Sequence, residues 1–165
     1  MKRRNFGLGA AAMLGLGACS SSKFLKYNGP EVTGMVVNKG ERRLYLLHHK
    51  EILEHYKVDL GFNPVGDKKV EGDGRTPEGT YYIDRRNPRS DFHLSVGISY
   101  PDAQDMAEAQ ALGMKPGGNI FIHGEPNTYK AKGRDWTAGC IAVKNKEIEQ
   151  IYAMVRDGTP ISIWA

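Results

Sequence analysis

The chain has 165 residues, with 23 basic and 19 acidic side chains, a formal net charge of +4 and a pI near 9.0. This length suits one domain with a sizeable core. Three of the positive charges lie in the first four residues, and from residue 19 onward 20 basic and 19 acidic residues leave a net charge of +1. A charge so close to zero gives no electrostatic footprint for nucleic acid, so nucleic-acid binding is excluded as the function.

Residues 1–18 have the pattern of a bacterial export signal. A basic start is followed by 13 uncharged residues, 6–18, which are too few to span a bilayer as a helix. The run ends in Leu-Gly-Ala before Cys19, which resembles a lipoprotein cleavage box and makes Cys19 the predicted lipidation site. The alternative is an ordinary signal peptide cut near Ala18. Ser20, rather than Asp, follows Cys19. By the resemblance to lipoproteins, this residue favours sorting to the outer membrane. We therefore expect a lipid-anchored protein of the periplasm.

Residues 19–31 are predicted to form the lipidated Cys and a short polar tether, followed by a single domain over residues 32–165. Apolar and polar residues alternate in the first part of this domain, which indicates half-buried strands. The adjacent His48 and His49 are predicted to belong to a hairpin turn, because neighbouring strand residues point to opposite faces and make a poor ligand pair. The first strands are predicted over residues 32–38, 43–47 and 54–60.

Residues 61–80 form a long segment rich in Gly, Pro and charged residues. A loop of this length inside one domain usually has a function. Its Arg75 has two possible roles. It contacts a substrate carboxylate, or it forms a structural ion pair with Asp73 or Glu78.

Two short helices are predicted in the second half of the chain. The first opens at Pro101 and Asp102 and ends before Gly113. The second has Asn145 as its predicted N-cap, and an apolar face formed by Ile148, Ile151, Tyr152 and Val155. Further strands are predicted over residues 80–84, 92–98 and 159–164, with His93 as a structural residue of the second. Many short strands with two helices indicate a mainly-β sandwich or open barrel.

Residues 120–143 contain two short apolar strands, and each delivers one reactive side chain, His123 and Cys140. A thiol alone is only a few per cent ionised at neutral pH, whereas a neighbouring imidazole can take its proton and hold the ion pair. Gly139 would let a substrate carbonyl approach the backbone amides, and Gly124 would relax the space beside the base. Taken singly, each residue has a structural alternative, a small buried Cys or a hydrogen-bonded His. Neither has a Cys or His at metal-ligand spacing, so no metal is expected.

The cysteine count supports a reactive thiol. An exported protein meets an oxidising compartment, where spare thiols tend to pair. If Cys19 carries lipid, the chain offers no partner for Cys140. An unpaired thiol in such a compartment is a liability unless its reactivity is used.

The motif Ile-His-Gly at residues 122–124, followed by Thr-x-Gly-Cys-Ile at residues 137–141, resembles the signature of the L,D-transpeptidase (YkuD-type) catalytic domain. The Thr-Pro-x-Gly stretch at residues 76–79 is also similar to that family, and the likeness spans about residues 32–164. The resemblance implies the same mainly-β fold and a cofactor-independent enzyme of cell-wall biogenesis and cell shape.

The chain departs from the common form of the family at two positions. Many members carry Ser-His-Gly-Cys and an Arg two places after the Cys, whereas this chain has Ala138 and Ala142 there. Its form resembles a subgroup of small bacterial lipoprotein enzymes. Substrate contacts made by the missing His and Arg are therefore not transferred, and transfer and hydrolysis both remain open.

The resemblance implies that Cys140 attacks a carbonyl of a peptidoglycan stem peptide and that His123 acts as general base and acid. Gly139 would offer an oxyanion amide, and the thioester would pass to an amine or to water. A wall-linked lipoprotein is a possible acceptor or substrate. Two alternatives are a carboxypeptidase or amidase of the same fold, and a non-catalytic wall-binding lipoprotein. The candidate substrate-binding residues, each with a structural alternative, are Gly124, Thr137, Arg134 and Arg75.

Overall fold

The computed structural model describes residues 22–165, so the predicted signal peptide and lipidation site lie outside the described residues. Within that part of the chain, no helix is both long enough and apolar enough to cross a membrane. The elements in chain order are β1 (Gly34–Asn38), β2 (Arg43–His48), β3 (Glu51–Lys57), β4 (Gly79–Asn87), β5 (Ser95–Ile98), α1 (Ala103–Ala111), β6 (Phe121–His123), β7 (Ile141–Ala142), α2 (Asn145–Met154) and β8 (Pro160–Trp164).

The eight strands form one curled sheet in the order β3-β2-β1-β8-β4-β5-β6-β7. The β1–β8 and β6–β7 pairs are parallel and the other neighbours are antiparallel. Strands β3 and β7 lie at opposite ends of this order, yet Asp59, just beyond β3, exchanges two backbone hydrogen bonds with Ala142 of 2.9 and 2.8 Å. The two edges therefore meet, which confirms the predicted mainly-β open barrel with two helices.

The core lies inside this curled sheet and under α2. Strands β1 and β2 alternate between buried and partly exposed residues, whereas all four residues of β5 are buried. The apolar face of α2 was correctly predicted from its spacing: Ile148, Ile151 and Val155 are fully buried and Tyr152 packs at the edge of the core. Helix α2 thus covers the sheet beside β5 and β6, and this packing fixes the strand that carries His123.

Several predicted boundaries were wrong, and three of them affect the surroundings of the site. Strand β3 ends at Lys57 rather than at residue 60, because the chain leaves β2 there to pair with β7. Strand β5 begins at Ser95 rather than at residue 92, because His93 has a positive φ of 69°. The N-cap of α2 is Lys144, whose N–H donates to Glu147 Oε2, and Asn145 Oδ1 instead accepts the N–H of Glu125.

The predictions for the other histidines agree with the fold, except that His48 is the last residue of β2 rather than part of the turn. His49 has a φ of 54° and lies in the tight turn between β2 and β3. The His93 ring lies 2.8 Å from Glu149 Oε1, away from Cys140. His93 is therefore a structural residue that joins the segment before β5 to α2.

The described part of the predicted tether lies against the domain. Lys23 Nζ donates to the carbonyl oxygens of Pro88 and His93 at 2.8 and 2.9 Å. The Phe24 ring lies 6.2 Å from that of Tyr152, and Tyr27 packs against the core. The described part of the tether therefore packs on the folded domain.

Lys39 anchors the loop formed by residues 61–80. Its side chain is almost completely buried, and its ammonium donates to the carbonyl oxygens of Gly66 and Thr76 and to Glu78 Oε1 at 2.6–2.8 Å. We predict that Lys39→Met lowers the free energy of unfolding by about 3 kcal/mol, because it strands these acceptors. Urea unfolding measures this loss, with the exposed Lys50→Met as a control that should change by less than about 0.5 kcal/mol. Equal losses in the two variants would contradict the assignment.

Candidate active site

Cys140 and His123 line the same cavity, which has a volume of about 260 Å³. In the parallel β6–β7 pair His123 lies opposite Ala142, and Cys140 directly precedes β7. The structure thus brings the two predicted residues together at neighbouring strand ends. The remaining lining residues are Asn87, Ser90, Asp91, Phe92, Ser95, Asn119 and Phe121.

The imidazole of His123 is held in one tautomer. Its Nδ1 lies 2.7 Å from the carbonyl oxygen of Gly124, and a carbonyl only accepts, so Nδ1 carries the proton. Nε2 is then the basic nitrogen of the neutral ring. Phe92 packs on the ring at 4.3 Å between ring centres, and Trp136 meets it edge-on at 5.6 Å. Gly124 thus supplies the carbonyl partner that orients the base.

The thiol of Cys140 is hydrogen-bonded away from the imidazole. Sγ lies 3.5 Å from the carbonyl oxygen of Asn119, to which the S–H donates. Burial raises the pKa of Cys140, against the opposing effects of the Phe121 N–H and the charges of Lys68 and Arg85. Burial also lowers the pKa of His123. These directions favour a neutral thiol beside a neutral imidazole in the resting site, from which the imidazole can still take the proton when substrate is bound.

This neutral resting pair predicts a specific pH dependence. In a chain carrying Cys19→Ser, alkylation of Cys140 by iodoacetamide should speed up with a midpoint above pH 9.0, because burial raises the thiol pKa above its ordinary value. The acidic limb of kcat/KM should have its midpoint below pH 6.5, because burial lowers the pKa of His123 and leaves Nε2 unprotonated at neutral pH. An alkylation rate that is already maximal near pH 7 would contradict the neutral pair.

The turn before Cys140 is closed by Thr137. Its hydroxyl accepts the N–H of Gly139 at 3.1 Å and donates to the carbonyl oxygen of Cys140 at 2.7 Å. Gly139 has a φ of 134°, and a Cβ there would lie 2.7 Å from the carbonyl oxygen of Arg75. The Gly139 amide is therefore occupied, so this geometry does not support the predicted oxyanion role for it. Position 139 requires glycine because its φ is positive and because the 61–80 loop approaches its backbone closely.

Thr137→Val should test the turn without changing its shape. Valine keeps the branched side chain but removes both hydrogen bonds, so we expect roughly a 10- to 100-fold loss of kcat/KM as the nucleophile is misplaced. Thr137→Ser keeps the hydroxyl and should retain most of the activity. Steady-state kinetics on both variants, with thermal unfolding to verify the fold, measure the difference. Equal activity in Val and Ser variants would show that the hydroxyl has no such part.

The structure separates the other predicted substrate-binding residues from the cavity. Gly124 is buried, and a Cβ there would lie 2.6 Å from Asn145 Oδ1, so its glycine is needed for packing. Arg75 points away: its Nη1 donates to the carbonyl oxygen of Asp67 at 3.3 Å, and it forms no ion pair with Asp73 or Glu78. Arg134 is exposed and lines a different cavity. Neither Arg therefore contacts the cavity that contains Cys140.

Sequence reasoning missed two residues beside the reactive pair. The carbonyl oxygen of Asn119, a residue with a φ of 56°, accepts the hydrogen bond of the Cys140 thiol. The ring of Phe92 packs on the His123 imidazole. The Gly-Gly-Asn run at residues 117–119 does signal a turn before β6, but not the direction of its carbonyl groups. No signal in the sequence placed Phe92, because it lies before β5, a neighbouring strand, and reaches His123 only through the fold.

Comparisons with known proteins identify the family of this chain. Residues 33–163 match the model of the YkuD family, the L,D-transpeptidase catalytic domain. YafK of Escherichia coli (strain K12), named as a candidate L,D-transpeptidase, is 28% identical over 107 residues, which are 64% of this chain and 38% of YafK. The match covers most of the chain, and the chain belongs to the L,D-transpeptidase catalytic-domain family.

Two solved structures have the same fold over most of the chain. The helical cell shape determining protein Pgp2 from Campylobacter jejuni is 26% identical with a TM-score of 0.62, covering 86% of this chain and 50% of that one. Bd1075 of Bdellovibrio bacteriovorus is 25% identical with a TM-score of 0.56, covering 81% and 48%. The chain thus spans half or less of the length of these relatives and corresponds to one part of each.

Proposed function

We propose that this protein is a cysteine-dependent L,D-transpeptidase that acts on peptidoglycan stem peptides. The observation that carries the proposal is the presence of Cys140 and a single-tautomer His123 in one cavity of an L,D-transpeptidase domain. A buried imidazole with a free Nε2 suits a general base, and a thiol next to it suits a nucleophile.

The proposed reaction begins with the neutral pair. The S–H of Cys140 turns from Asn119, Nε2 of His123 takes its proton, and Sγ bonds to the carbonyl carbon ahead of a terminal D-amino acid. The Cys140 N–H, for which no acceptor is found within residues 22–165, replaces Gly139 as the proposed oxyanion donor. The C–N bond then breaks, and His123 returns the proton to the leaving amine. A thioester remains on Cys140.

An acceptor amine or a water molecule then resolves the thioester. An amine forms a new amide bond and restores the thiol, which is transpeptidation, whereas water releases a shortened peptide. Hydrolysis is the second candidate function, because water can resolve the same thioester without an acceptor site beside the Cys140 cavity. A carboxypeptidase or an amidase would use the same residues.

The location and partners of the protein follow from the sequence pattern and the relatives. We propose a periplasmic protein held by lipid on Cys19, in the outer membrane, where the domain stays within reach of the wall. A wall-linked lipoprotein is a candidate acceptor or substrate. Pgp2 is a helical cell shape determining protein, and we extend a role in cell shape to this chain.

Incubation with defined muropeptides tests the proposal. A tetrapeptide donor with an amine-bearing acceptor should give crosslinked products with the parent protein and none with Cys140→Ala. Trimmed products alone would assign hydrolysis, which needs no amine. An unchanged muropeptide profile with a folded parent protein would favour the non-catalytic wall-binding alternative.

A further inference from the structure

A second cavity, of about 570 Å³, adjoins the one that contains Cys140. Trp136 lines this second cavity, and its ring centre lies 5.6 Å from that of His123 and 6.0 Å from that of Phe92, both of which line the first. Ala142, the strand neighbour of His123, lines it as well. One layer of aromatic side chains therefore separates the two cavities.

The second cavity has an excess of positive charge. Arg42 is paired with Asp135 at 2.8 Å, but the other basic residues of its lining form no ion pair within residues 22–165. Three acidic residues also line it, which leaves four unpaired basic against three acidic side chains, a net of +1. The unpaired basic residues are Arg43, Lys57, Arg134 and Lys144, and the acidic ones are Glu41, Asp59 and Glu125.

Guanidinium and ammonium groups that lack an ion-pair partner favour a carboxylate ligand. A volume of 570 Å³ is typical of a ligand site. An extended peptide covers about 3.3–3.6 Å per residue, so roughly two residues span the distance between the Trp136 and His123 rings. A peptide that reacts at Cys140 can thus reach this cavity with a carboxylate a few residues from the reacting bond.

We propose that the second cavity binds the internal carboxylates of a wall peptide and selects peptides whose carboxylates are free over those in which they are amidated. Arg134 and Lys57 are the specificity residues of this site. Arg134 therefore meets the carboxylate expected for it from the sequence, but in the neighbouring cavity. The inference rests on the proposed function, since it takes the stem peptide as the ligand.

Binding measured with a matched peptide pair tests this inference. The two probes are a synthetic stem tetrapeptide with free internal carboxylates and the same peptide with those carboxylates amidated, titrated calorimetrically into Cys140→Ala so that no turnover occurs. The free-carboxylate peptide should bind about tenfold more tightly, and added salt should reduce the preference. Adding Lys57→Gln with Arg134→Gln should reduce the preference to about twofold or less.

Two controls make the result specific. Lys50→Gln with Lys115→Gln removes the same charge from exposed positions outside the cavity and should keep the preference, as should Lys57→Arg with Arg134→Lys. Equal binding of the two peptides to the parent would overturn the inference and leave the proposed function intact. The inference would also be overturned if the Lys50/Lys115 double variant lost as much of the preference as the Lys57/Arg134 double variant. Net charge alone would then explain the preference. If neither peptide binds, the inference and the proposed function both fail.

Discussion

Cys140→Ala is expected to lower kcat/KM on a stem-peptide donor by about 10⁴-fold or more, because Cys140 is the one thiol that lines the cavity within residues 22–165 and the hydroxyls of Ser90 and Ser95 there are much weaker nucleophiles. The substitution removes one partly buried sulfur and leaves the Thr137 turn in place, so thermal unfolding should change little. The measurement is the release of the terminal D-amino acid under single-turnover conditions.

Cys19→Ser is the matched control for this prediction, since it also removes a thiol. It should retain full activity on a soluble peptide, because Cys19 is predicted to serve anchoring. If Cys140→Ala kept more than a tenth of the parent rate, the thiol could not be the nucleophile. If instead Cys19→Ser lost activity on the same soluble peptide, the assignment of the two cysteines would have to be reversed.

His123→Gln is expected to lower kcat/KM by about 10³-fold, because glutamine can hydrogen-bond in place of the ring but cannot accept a proton. The acidic limb of the pH profile, which has its midpoint below pH 6.5 in the parent, should be absent in this variant because the titrating imidazole is gone. The residual rate should then rise only as the thiol itself ionises, above pH 9.0. Steady-state kinetics from pH 5 to pH 10 measure both effects.

His93→Gln separates this catalytic role from a structural one. His93 contacts Glu149 outside the Cys140 cavity, so its loss should reduce stability while leaving the midpoint of the acidic limb unchanged. A profile for His123→Gln that keeps the limb of the parent would show that another group titrates there.

The reactive pair could be predicted because its signals are local. His123 ends β6 and Cys140 directly precedes β7, which is shorter than the strand predicted to carry the thiol, so the pair required only that these strands be neighbours. The core face of α2 was likewise set by spacing within one helix. Features that depend on residue spacing within one helix or strand could thus be predicted from the sequence.

The protonation states could not be predicted in the same way. They depend on how deeply Cys140 and His123 are buried and on the direction of the Asn119 and Gly124 carbonyl groups. Those features come from packing and from loop conformation, which no residue spacing encodes. The sequence therefore indicated the pair but not the protonation states that its surroundings favour.

The roles of the arginines and of Gly139 also depend on long-range contacts. Arg75 is fixed by a loop that Lys39 anchors, and its carbonyl, rather than its side chain, reaches Gly139. Arg134 is close to Cys140 in sequence, but the loop between β6 and β7 carries it to the second cavity. Proximity in sequence was a poor guide wherever a loop set the direction of a side chain.

Intact-protein mass spectrometry after treatment with a β-lactam measures the activation of Cys140 most directly. A nucleophilic thiol paired with a base opens the lactam and keeps it as a covalent adduct, whereas a merely buried cysteine does not. We predict one adduct per chain, mapped to Cys140, strongly slowed in His123→Gln and absent in Cys140→Ala. An unlabelled parent protein, or an adduct of the same yield in Cys140→Ala, would contradict the enzymatic account.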